Sequence, residues 1–123
     1  VAKVEIEWPP EQIPVHAKLY MRAHKVFLYN GELAPGVFRD HQGGMSTEWD
    51  KYSTPDEVRA RCKKPLENGI IEMTAGDVIG IPLTVSHTPD VERRVRGHTD
   101  VVGEKTPEVR LKLLRIHRWA IRL

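Results

Sequence analysis

Residues 17–29 read AKLYMRAHKVFLY. Leu19, Met21 and Ala23 fall on one alternation and Tyr20, Arg22 and His24 on the other, the period of a strand with one apolar and one polar face. Asn30-Gly31 closes the stretch with the residues that a type I′ turn needs, because both of its central positions have positive φ. The reading is therefore a long or broken strand ending at Asn30. Upstream, Val4, Ile6 and Trp8 alternate with Lys3, Glu5 and Glu7 until Pro9-Pro10 ends a second strand. Downstream, residues 31–53 show no period, four glycines and a proline, with a short strand expected at Val37-Phe38. An aperiodic stretch that exceeds about 12–15 residues is commonly a functional one.

Thr54 as N-cap, Pro55 at the first helical position and Glu57 at the third form a capping box, so a helix is expected over 55–64, before Pro65. Val58 and Cys62 share its apolar face, which makes Cys62 a core residue. Asn68-Gly69 reads as a turn into a strand at Ile70–Met73, and residues 74–77 as another turn. Leu83, Val85 and His87 alternate with Thr84, Ser86 and Thr88 in a strand that stops at Pro89, and a charged connector follows over 90–97. The tail has two readings. A helix capped at Thr106 aligns Val109, Leu113, Ile116, Ala120 and Leu123, while two strands with one phase slip align Val109, Leu111 and Leu113, then Trp119, Ile121 and Leu123. The strand reading is preferred.

Together these elements give an α+β, β-rich fold: one curled mixed or antiparallel sheet of about five to seven strands with one short covering helix, 55–64, in a single globular domain over 1–123. The expected core is Val4, Ile6, Leu19, Met21, Val58, Ile71, Leu83, Val85, Val101, Val109, Leu111, Leu113, Trp119 and Ile121.

At 123 residues, with 40% hydrophobic content, the chain can bury one core without staples. Its single cysteine excludes an intrachain disulfide and every multi-cysteine zinc pattern, and it suits a reducing compartment. No run reaches the ~18 apolar residues of a membrane helix, and VAKVEIEWPP has no signal-peptide pattern, so a cytoplasmic location off the membrane is expected. No P-loop, dinucleotide fingerprint, nucleophile elbow, H-E-x-x-H or EF-hand motif occurs, which removes P-loop nucleotide triphosphatases, Rossmann dehydrogenases and ordinary α/β-hydrolases. The formal charge of +2 hides an asymmetry: 10 Lys/Arg against 14 Asp/Glu over 1–92, and 9 against 3 over 93–123.

Arg22 and His24 project from one strand face, a pairing in which the guanidinium holds an anionic oxygen while the imidazole moves a proton. His41 and His98 are further acid/base candidates, and in GHTDVVG the Asp100 carboxylate stands two residues from His98, able to fix its tautomer. Ser46, Thr47, Trp49, Lys51 and Tyr52 are the ligand-binding candidates, offering hydroxyls and an ammonium to phosphate or sugar and rings for stacking. No metal site and no cofactor are expected. The order Arg22, Ser46-Thr47 and a later glutamate, Glu104 or Glu108, is that of ADP-ribosyltransferase-like folds, but the spacing from Arg22 is short and the glutamate motif looser than in that class, so no family is assigned. The leading functional reading is a ligand site made by the 36–53 loop and the Arg22/His24 face, binding or acting on a nucleotide or RNA. One alternative is a non-catalytic nucleic-acid module using Arg110, Lys112, Arg115, Arg118 and Arg122. Another is a subunit whose partner is a protein or a second copy of itself.

Overall fold

The computed structural model describes residues 7–123, so the expected first strand and the core positions Val4 and Ile6 lie outside the described residues, apart from Glu7 and Trp8, which have no regular structure. The elements in chain order are β1 (Lys18–His24), β2 (Leu28–Tyr29), β3 (Glu32–Leu33), β4 (Met45–Trp49), α1 (Pro55–Ala60), β5 (Asn68–Thr74), α2 (Ala75–Ile79), β6 (Thr84–His87), β7 (His98–Val102), α3 (Pro107–Ile116) and β8 (Arg118–Ile121). Six strands form one antiparallel sheet in the order β6-β7-β4-β1-β5-β8, and β2 and β3 form a separate hairpin. The fold is α+β and β-rich.

The 17–29 stretch is a broken strand. A 3₁₀ turn at Lys25–Phe27 separates β1 from β2, and Asn30 (φ 53°) and Gly31 (φ 79°) take the left-handed conformations that their turn requires. The alternation of β1 decides how the two faces of the sheet are used. Leu19, Met21 and Ala23 join Met45, Trp49, Ile71, Met73 and Val101 in the main core, against α2, α3 and the 3₁₀ turn at Pro35–Val37. Phe38 and Leu113, both fully buried, close that layer from the side opposite the sheet. On the other face Tyr20 and Ile70 meet Val58 of α1 in a second, smaller cluster.

Several sequence readings need correction. Val37-Phe38 lies in and beside a 3₁₀ turn rather than a strand, and MSTEW, inside the stretch read as aperiodic, is β4. Residues 75–79 form a short helix where a turn was expected, and Asn68-Gly69 is the buried start of β5 rather than a turn. The tail combines both readings. Thr106 caps α3 by accepting from the Val109 N–H at 3.2 Å, the helix runs to Ile116, and β8 follows, so Leu111 points outward at 48% exposure while Leu113 is buried. The capping box of α1 is present, but the helix ends at Ala60, not Lys64. Arg59 Nε donates to the carbonyls of Pro65 and Asn68, both at 3.0 Å, and folds the following segment back.

Gly69 allows β8 to approach β5 closely. A Cβ there would lie 2.7 Å from Trp119 Cζ3 and 2.8 Å from the Ile121 carbonyl. Gly69→Ala should therefore destabilise the protein by about 1–3 kcal/mol, read as a lowered urea midpoint.

Candidate groove on the open half of the sheet

The face that α1 covers is covered only in part. Helix α1 packs on β1, β5 and β8, and it is fixed by the Arg61 guanidinium, which donates to the buried carboxylate of Glu48 on β4; Ser53 Oγ donates to the same oxygen at 2.8 Å. Beyond α1, over β4 and β7, the sheet face is polar and open. Strand β1 pairs with β5 from Lys18 to His24 but with β4 only at Leu19↔Trp49 and Tyr20↔Glu48. Carried two residues further, that register would set Arg22 against Ser46, but the pairing has stopped and the strands part. The result is a groove of about 1150 Å³. Its floor includes Met21, Met45 and Ser46, and its rim is formed by the 39–43 segment, residues 62–64 with Glu67 and Asn68, the 90–93 turn, and His98 with Asp100.

Two devices hold this rim. Lys105, its side chain only 3% exposed, donates to Asp40 Oδ1 at 2.8 Å and to the carbonyls of Val101 and Gly103 at 3.1 and 2.6 Å, tying the 39–44 segment to the end of β7. The tight turn His41–Gly44 closes through the His41 N–H donating to the Gly44 carbonyl at 2.7 Å, and Gly44 packs where a Cβ would stand 3.0 Å from the Val101 carbonyl. Gly43 and Gln42 are thereby left on the groove side.

A hydrogen-bonded polar chain in the groove starts at Ser46. His98 Nε2 lies 3.4 Å from Ser46 Oγ, and Nδ1 lies 2.9 Å from the Thr88 carbonyl and 3.0 Å from Thr88 Oγ1. A carbonyl only accepts, so in the neutral ring the proton sits on Nδ1 and the bare Nε2 faces the serine hydroxyl. Thr88 Oγ1 in turn donates to Asp100 Oδ2 at 3.0 Å. The sequence expectation that Asp100 fixes the His98 tautomer thus changes in form, because Thr88 stands between the two. Thr88 gave no signal in the sequence except its place at the end of an alternating strand.

Arg22, His24, His41 and His98 all line this groove, as does Ser46. His24 is held by its surroundings: Nδ1 accepts from the Val26 N–H at 3.1 Å and Nε2 faces Glu67 at 3.2 Å. Glu67 also accepts from Lys25 at 2.9 Å, and these bonds, Lys25 first and His24 second, hold its carboxyl below the usual carboxylate range. Cys62 is buried at the edge of the groove with its thiol pushed up by that burial, which suits packing rather than attack.

The other ligand candidates are placed elsewhere. Thr47 is on the core face of β4, donating to the Thr99 carbonyl at 3.1 Å, and Trp49 is buried against Tyr52 and His87. Lys51 and Tyr52 hold the carboxylate of Glu11, and the Tyr52 ring lies between His87, stacked at 5.9 Å, and the Arg96 guanidinium, 4.4 Å from its centroid. The tail cations have different neighbours. Lys112 and Arg115 flank a shallow depression beside α2, Arg118 sits opposite Glu72 at the sheet edge, and Arg122 lies over Trp119. Arg110 is half-buried and its Nε finds no partner among the described residues. Glu104 and Glu108 are exposed and away from the groove, so the order of residues compared with ADP-ribosyltransferase-like folds does not converge in space. Among the described residues no three His, Cys, Asp or Glu side chains gather as a metal ion would require. Likewise, no helix among them is long and apolar enough to cross a membrane.

Comparison with protein-family models, with curated proteins and with solved structures finds no match.

The Glu11 clamp carries a pH signature. Its carboxyl is held below the usual carboxylate range by hydrogen bonds from Lys51 first and Tyr52 second. A group whose pKa is depressed by folding stabilises the fold above its unfolded pKa, and that contribution disappears as pH falls through the folded value. Glu11→Gln should therefore lower the melting temperature at neutral pH, with the gap from wild type closing in acid below the ordinary carboxylate range.

Proposed function

We propose that the groove binds a phosphorylated ligand, a nucleotide or a short stretch of RNA, and that the site acts on it in a hydrolytic or transfer reaction. The observation that carries this reading is an imbalance of charge. Arg22, Arg39, Lys63 and Lys64 all line the groove, and none of them pairs with a carboxylate among the described residues. Two of the lining acids are paired with cations, Glu67 with Lys25 and His24 and Asp90 with Arg93, while Asp100 is bonded to the neutral hydroxyl of Thr88. Only Glu92 of these is left without a partner among the described residues. Converging cations in a walled groove raise the local concentration of an anion and bind it through charge-assisted hydrogen bonds.

The roles follow from position. Arg22, on the parted edge of β1, holds non-bridging oxygens of a phosphate. Lys63 and Lys64 neutralise charge from the rim that follows α1. His98 moves the proton, since its bare Nε2 faces into the groove. Arg39, stacked over Phe27 at 5.2 Å, brings a flat cationic and aromatic edge on which a base can rest.

Calorimetric titration with adenosine monophosphate and with a short single-stranded RNA tests this reading. Arg22→Ala should weaken binding by roughly tenfold to a hundredfold, since a hydrogen bond to a charged group contributes about 1.5–3 kcal/mol. Lys63→Ala/Lys64→Ala should also flatten the salt dependence of RNA affinity. Arg118→Glu/Arg122→Glu should leave nucleotide binding intact. Loss of all binding in that tail variant, with Arg22→Ala unaffected, would assign the ligand to the basic C-terminal segment instead.

A further inference from the structure

Resting on the reading of the groove as a phosphoester site, we infer that Ser46 is a nucleophile activated by His98, with Thr88 and Asp100 as positioning residues, and that the reaction passes through a covalent phosphoserine.

The inference rests on one hydrogen-bonded chain through four residues, Ser46, His98, Thr88 and Asp100. Ser46 Oγ lies 3.4 Å from His98 Nε2, a separation of the kind that activated nucleophiles show before substrate tightens the site. The imidazole is held from behind at Nδ1 by both the carbonyl and the hydroxyl of Thr88, at 2.9 and 3.0 Å. That double contact fixes the tautomer and the ring plane. The Thr88 hydroxyl is itself committed, because it donates to Asp100 Oδ2. A carboxylate therefore ends the chain, one hydroxyl removed from the imidazole, where its charge favours the positive ring that forms when His98 takes a proton. The backbone supports the same arrangement: Ser46 and Ser86 both stand directly opposite Asp100 in the sheet register, and the Thr88 N–H donates to the His98 carbonyl at 2.9 Å. All the groups are on β4, β6 or β7 or, for Thr88, on the residue after β6, so strand pairing rather than a loop sets their spacing.

The chemistry balances without a further reagent. Ser46 Oγ attacks the phosphorus of a phosphodiester, its proton passes to His98 Nε2, the Oγ–P bond forms and the bond from phosphorus to the departing alcohol oxygen breaks. The imidazolium returns its proton to that alcohol. Water then attacks phosphorus, gives its proton to Nε2, and displaces Ser46, which recovers the proton and leaves a phosphate monoester. Arg22 lies across the parted strands from Ser46 and binds the oxygens on which charge accumulates. A serine that served only as a hydrogen-bonding group for the ligand would need no imidazole with its free nitrogen turned toward it.

A fluorophosphonate probe reads this directly, because it presents an electrophilic phosphorus and transfers its phosphonyl group to an activated serine with loss of hydrogen fluoride. The expected result is a single adduct, located on Ser46 by peptide mass spectrometry, absent in Ser46→Ala and formed at least tenfold more slowly in His98→Gln. Melting curves of both variants establish that they fold, and wild-type labelling alone decides the case if either does not. No adduct on Ser46, or equal rates in wild type and folded His98→Gln, overturns the nucleophile. Adenosine monophosphate titrated into the same samples separates the two readings. Binding without labelling removes the nucleophile and leaves the phosphate groove standing, and Ser46 labelling without nucleotide binding does the reverse.

Discussion

Strand β1 keeps its pairing with β5 along its whole length and gives up its pairing with β4 after two residues, and the candidate site depends on that parting. A central strand has peptide groups on both edges that must find partners, and along the parted edge the neighbouring strand does not supply them. The same parting turns a continuous sheet surface into a groove with a floor, since Met21 and Met45, core residues on the far face, become visible between the strands. Arg22 and Ser46 then face each other across a gap rather than across a ladder.

The rest of the fold keeps that gap open. Helix α1 could cover the whole polar face only by extending over β4, but its capping box sets where it starts and the Arg61–Glu48 pair, with the turn folded back by Arg59, sets where it stops. On the opposite rim the buried ammonium of Lys105 has three oxygen partners, and removing a buried charged partner typically costs about 3–5 kcal/mol. Both walls are thus fixed by charged groups inside the fold, while four of the cations that line the groove, Arg22, Arg39, Lys63 and Lys64, have no carboxylate partner among the described residues. In the N-terminal segment Glu11 occupies Lys51 and Tyr52, and its N–H donates to His87 Nδ1 at 2.9 Å, which keeps all three side chains out of the site.

Period-2 alternation and turn chemistry make β1, β6, the Asn30-Gly31 turn and the cap of α1 legible in the sequence, because each is decided by neighbouring residues, whereas β5 is legible only from Ile70 on, since Asn68-Gly69 reads as a turn. Strand β4 was not legible. Its core-facing positions are Met45, Thr47 and Trp49, so the apolar alternation breaks at Thr47. Helix α3 was read as strand since Leu111 and Leu114 blur its stripe, and contact with the Pro35–Val37 turn and α2 decides the matter. Arg22, His24 and His98 line one groove, and the spacing by two that places residues on one strand face is what marks them in the sequence. Thr47, Trp49, Lys51 and Tyr52 were gathered from closeness in sequence alone, and the strand alternation and the Glu11 clamp send them elsewhere. Lys63 and Lys64 fall inside the helix expected over 55–64, and they line the groove because α1 ends at Ala60.

Backbone amide chemical shifts recorded while inorganic phosphate and then adenosine monophosphate are added test the central claim most directly. The account predicts shifts concentrated at residues 21–24, 39–46, 62–68 and 98–100, on both sides of the parted strands, with α3 and β8 undisturbed. Shifts centred on residues 107–123, or none at millimolar nucleotide, would contradict it.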